Sequence, residues 1–166
     1  MVACGGVLRS CSDFGGVVVV REEETIAAAA LIGATRLEQS LLALATEDAA
    51  GAAAGLTESL TLLQSSGHGP LIARSLDGLA HAAHARSDAA RAAGLLGAAD
   101  GLRAAAGVVL APADRAAVER IAATVRSAIG AGHYNAAWAV GHQAPPEEVI
   151  ACALAVAVSP GAGTPA

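Results

Sequence analysis

The sequence predicts an all-α fold of antiparallel helix hairpins stacked as a short α-solenoid, and three observations carry that prediction. After Arg21 the chain becomes long Ala/Leu stretches punctuated by Gly, Ser, Asp and Pro, the residues that cap and separate helices. No period-two alternation of polar and apolar residues persists after residue 20, so strands are not expected. The chain also matches itself when Asp48 is laid over Asp88: Asp48-Ala49-Ala50 and Ala52-Ala53 then fall on Asp88-Ala89-Ala90 and Ala92-Ala93, and Leu56 on Leu96. Self-similarity at that period is the signature of stacked helix pairs, each burying one face against the next.

Residues 1–20 form a poorly patterned leader with four Gly, two Cys and the run Val17 to Val20. The helical-repeat domain spans 21–158, and 159–166 is a flexible tail. The first helix is expected from about Glu22 to Ala45, with Glu22, Glu23 and Glu24 in its first turn, where the helix dipole favours negative charge. A second begins after Thr46 and ends near Ser65, before Gly67-His68-Gly69. Pro70 opens a third that reaches Arg86, and Ser87 with Asp88 caps a fourth that stops at Gly107. Pro112 at the first helical position opens a fifth, which ends near Gly130. A short aromatic-bearing helix through Tyr134 and Trp138 follows His133, and Pro145-Pro146-Glu147-Glu148 starts the last.

Composition narrows the function. Ala supplies about half of the 54% hydrophobic share, and Phe, Tyr and Trp contribute one residue each. All ten basic residues are Arg, which removes a Walker-type phosphate loop, Schiff-base chemistry and pyridoxal enzymes. The net charge of -5 and the scattered Arg give no basic patch, so direct nucleic-acid binding is not expected. The longest strongly apolar runs, Ile26 to Ile32 and Val149 to Val158, are shorter than the roughly 20 residues of a spanning helix, so no membrane association is expected. Three Cys without metal-site spacing, and no basic segment ahead of an apolar one at the N-terminus, point to a reduced, cytoplasmic chain.

Between Leu76 and Ala99, the residues Leu76, Leu79, Ala80, Ala83, Ala92, Leu96 and Ala99 fall at the offsets of a tetratricopeptide repeat. Small side chains are needed at Ala80 and Ala92, where the two helices come closest. Ser87 stands where a turn Gly is common, and Ala104 replaces the closing Pro. A second resemblance covers about residues 37–157. SDAARAAGLLGAADGLRAAAGVVLAPADRAAVERIAATVRSAIG and HYNAAWAVGHQAPPEEVIACALA resemble the C-terminal helical region of actinobacterial regulators of the LuxR class of signal-transduction ATPases. The resemblance rests on Arg91 to Arg103, Pro112, Tyr134, Trp138, Gly141 and Glu147-Glu148. It implies a helical sensor or protein-interaction module; no residue here matches that family's ATPase or helix-turn-helix parts, and a stand-alone or truncated remnant is expected.

Arg74, Asp77, His81 and His84 recur at helical spacing and share one face of the third helix. In tetratricopeptide-like hairpins this face lines the groove where partner segments lie, which makes the four residues candidate partner-binding groups. The alternative is a solvated face with an Asp77–His81 pair one turn apart. His81 and His84 with Asp88 lack a fourth ligand, so no metal and no cofactor is expected. Tyr134 and Trp138, one turn apart, form either an effector-stacking pair or an anchor for the short helix. His133 and His142 are expected at helix ends, and Cys152 as a small buried hydrophobe. No nucleophile motif is present, and the predicted activity is non-enzymatic binding of a protein partner or of a second copy.

Overall fold

The computed structural model describes residues 22–157, so the leader 1–20 and the tail 159–166 lie outside the described residues. The fold is all-α: among the described residues there are seven helices and no strand. They are α1 (Glu22–Ala45), α2 (Ala49–Gln64), α3 (Gly69–Ala85), α4 (Ala89–Ala106), α5 (Pro112–Ile129), α6 (Ala131–Gln143) and α7 (Pro146–Ala157). The helix through Tyr134 starts at Ala131, ahead of His133, because Gly130 at φ 82° breaks α5 and lets α6 begin at once.

The turns repeat. Positive φ recurs at Glu47 (64°), Gly67 (63°), Ser87 (67°) and Gly107 (63°), so the helix-plus-turn unit advances along the chain in equal steps. Ser87 adopts the same left-handed conformation that Gly67 and Gly107 take in the neighbouring turns. In alternate turns the next residue is an Asp whose carboxylate caps the following helix: Gly51 N–H donates to Asp48 Oδ1 at 2.8 Å, and Arg91 N–H to Asp88 Oδ1 at 3.2 Å. The match of Asp48 with Asp88 is thus one turn and cap made twice.

Turns this short force neighbours to run antiparallel. Gly33 lies against Leu63 while Ser40 lies against Gly55, the reversed order of an α1–α2 hairpin. The core runs through both hairpins, from Leu37 and Leu56, Leu60 and Leu63 to Leu76 and Leu96. Ala80 and Ala92, the positions expected to need small side chains, are fully buried, as is Ala99. Buried hydroxyls are satisfied: Ser59 donates to the Gly33 carbonyl at 2.7 Å, and Ser75 donates to the Leu71 carbonyl at 3.0 Å.

The regular pairing covers α1 to α4 and then changes. α6 packs on α4 more extensively than on its neighbour α5, and α7 folds back over α2 and α4. Gly97 and Gly101 of α4 face the backbone of Trp138 and His142 of α6, so these two helices run parallel. A Cβ on Gly97 would stand 2.0 Å from the Trp138 carbonyl oxygen, and one on Gly141 would stand 1.9 Å from that of Gly94. Only glycines permit backbones this close. α7 is held by buried Val149, Ile150 and Ala153, and Arg91 Nη2 donates to the Ala153 carbonyl at 3.3 Å. Cys152 is exposed rather than buried, because it sits at the edge of the α7 face that those three residues bury.

Among the described residues one helix, α1, is long and apolar enough to cross a membrane by length and composition alone. The strongly apolar runs did not indicate this, because scattered Ala carries much of the hydropathy of α1. In the fold its Gly33, Leu37 and Ser40 are buried, and Arg36 pairs with Glu58 of α2 at 3.2 Å.

Candidate functional site

The linker 108–111 between α4 and α5 is tied back by Val108 N–H donating to the Arg103 carbonyl at 2.9 Å. It roofs two clefts. The first, of about 540 Å³, lies between α1, α3 and α5 and is lined by Arg74, Asp77 and His81 with Leu41, Asp114 and Ile121. The second, of about 460 Å³, lies between α4, α5 and α6 and is lined by Tyr134, Trp138, Asp100 and Glu119. Arg103, Val108, Val109, Leu110 and Val118 border both.

Three of the four residues predicted on α3 therefore meet in one cleft, but they are not a solvated face. Asp77 is 9% exposed and forms a buried ion pair with Arg103 of α4, itself 6% exposed. The partner of Asp77 is thus Arg103 and not His81. Its Oδ2 accepts from Arg103 Nη2, and Oδ1 has no hydrogen-bond partner. Burial pushes the Asp77 carboxyl up to about 7 against the pull of the Arg103 guanidinium. Arg74 is exposed at the rim and reaches both carboxylate oxygens of Glu38 on α1. His81 is half-buried, and burial together with the neighbouring His84 holds its pKa below the usual histidine range. His84, one turn further, does not line the cleft, and its Nδ1 is buried without a partner.

The aromatic pair divides its roles. Tyr134 is buried with the Arg126 guanidinium 4.4 Å over its ring, and burial raises its hydroxyl above the ordinary tyrosine value. Trp138 stacks on His142 with centroids 4.6 Å apart. His142 Nδ1 lies 3.4 Å from Asp100 Oδ2 without the alignment of a hydrogen bond. His142 sits in the last turn of α6 as expected, and His133, in the first turn, places Nδ1 3.2 Å from the Ile129 carbonyl that ends α5.

Among the described residues no Ser, Thr or Cys lines the first cleft, and no group of three metal-ligating side chains forms. The arrangement offers apolar walls, a buried ion pair at the floor, and Arg74 and Asp114 beside them. Such a surface can hold a ligand by shape and a few polar contacts. Sequence reasoning missed Arg103. The signal was there to read: Ala92, Leu96, Ala99 and Arg103 continue one stripe of α4, so a cation at 103 needed a buried anion across the hairpin. No family model, no curated protein and no solved structure matches the chain.

Proposed function

We propose that the chain is a non-enzymatic helical interaction module: a tetratricopeptide-like stack, related to the C-terminal sensor region of LuxR-class regulators, that holds a protein segment in the cytoplasm. The observation that carries this reading is that Arg74, Asp77 and His81 open together into one apolar-walled cleft. The recurring turn and Asp cap support the repeat reading. In this reading Leu41 and Ile121 grip aliphatic side chains of the partner, Arg74 selects at the rim, and the Asp77–Arg103 pair keeps the floor in shape.

The test is a photo-crosslinking residue placed at His81 in the full chain within actinobacterial cells, against the same residue at exposed His133. A discrete protein adduct from position 81 that is lost with Arg74→Glu is expected. Identical patterns from both positions, or none from 81, would overturn the assignment. The second cleft supports another use, capture of a small effector against Trp138. Because Trp138 is the only Trp, its fluorescence reports that event directly: quenching by an effector, abolished by Glu119→Ala, would place sensing in the second cleft.

A further inference from the structure

The outward face of α1 can be read from its counterpart on α3, which stands one repeat later in the chain. There α3 receives α2 through Ser75, whose hydroxyl lies 3.4 Å from Ser59 Oγ, and through Gly78, where an added Cβ would stand 2.9 Å from Leu56. On the same stripe Ile72 and Ala82 are 5% and 1% exposed. The equivalent positions of α1 hold Ile32, Thr35, Glu38 and Leu42, with Leu31 beside them. Here Leu31, Ile32 and Leu42 are 71%, 52% and 69% exposed. The face that α3 buries is therefore present on α1 and uncovered among the described residues.

Another α2-like helix cannot cover it in the same way. The position that Gly78 keeps empty carries Glu38 on α1, and its carboxylate is tied to Arg74. What remains is a stripe with aliphatic groups at both ends and Thr35 and Gln39 between them. Arg36 and Glu38 at its edges are engaged with Glu58 and Arg74 of the same chain, so the stripe carries no free charge. Such a stripe is complementary to itself under two-fold symmetry. With the axis near residues 36–37 and the helices antiparallel, Leu31 of each copy meets Leu42 of the other, and Thr35 meets Gln39.

We propose that a second copy of this chain covers the stripe, giving a closed two-fold dimer through α1 against α1. The stripe adjoins the first cleft, whose rim residue Arg74 holds Glu38 at the stripe's edge, but Leu31, Ile32 and Leu42 line neither cleft under the α4–α5 linker, so substitutions at 31 and 42 test the dimer separately from what the clefts bind.

Sedimentation equilibrium on the full chain at micromolar concentration tests it. A dimer is expected, with L31E and L42K each sedimenting as monomers of unchanged far-UV circular dichroism; both positions are exposed, so folding should survive. Mixing the two variants should restore dimers, because one new carboxylate then faces one new ammonium while the other Leu31–Leu42 contact stays native. A wild-type monomer, a dimer that survives both variants, or a mixture that stays monomeric would overturn the proposal. So would a monomer that floats with phosphatidylcholine/phosphatidylglycerol vesicles and loses flotation in L31E, which would assign the stripe to a lipid surface.

Discussion

Asp77 and Arg103 are buried together, yet the two ions are not equivalent. A carboxyl can take up a proton and become neutral, whereas a guanidinium stays charged. Asp77→Leu should therefore cost about 3–5 kcal/mol, because it leaves a buried cation alone. Arg103→Met should cost about 1–3 kcal/mol, because Asp77 protonates instead. Urea unfolding at neutral pH measures both, and equal costs would contradict the asymmetry. The same carboxyl sets a pH dependence. Its pKa rises from 3.8 to about 7 on folding, so between those values the native state binds more protons than the unfolded chain. Its contribution to stability is complete below 3.8 and is lost as pH rises to about 7. The stability of the wild type minus that of Asp77→Asn should fall across this window and level off above it. His81, lowered on folding, acts in the opposite sense just below its ordinary value, which is why the difference between the two proteins is the quantity to measure.

At the scale of the helices, stability turns on where a side chain has room. Gly97→Ala and Gly141→Ala each drive a methyl group into a backbone carbonyl of the facing helix and should cost roughly 2 kcal/mol or more, because α4 and α6 must separate. Gly132 sits in the first turn of α6 with nothing near its missing Cβ, so Gly132→Ala should stabilise by about 0.5–1 kcal/mol. Thermal unfolding followed at Trp138 compares the three. The turns allow a complementary gain: Ser87 bears the left-handed strain without a glycine's freedom, and Ser87→Gly should raise stability by about 0.5–1 kcal/mol. These helix bounds were legible in the chain, since Asp48, Asp88, Pro112 and Gly107 act within one turn of where they stand. The parallel contact of α4 with α6 was not, because Gly97 and Gly141 are separated by the whole of α5 and look like any other glycines in a Gly-rich chain.

Over the whole molecule, α7 returns to α2 and α6 covers α4, so the C-terminal helices brace the first two hairpins. Unfolding should then be one cooperative event: far-UV circular dichroism, dominated by α1 to α7, and Trp138 fluorescence, reporting α6, should give coincident transitions. Separate midpoints would show that α5 to α7 come away on their own. The site belongs to this scale as well. The spacing of Arg74, Asp77 and His81 placed them on one side of α3, but whether that side meets water or another helix depended on α4 and α5. Caps, turns and periodicity act locally, which is why the helices, their even spacing and the positions that had to be small could be read from the residues alone. The burial of Asp77 against Arg103, the exposure of Cys152 and the return of α6 and α7 onto the first hairpins could not, because each depends on contacts between residues far apart in the chain.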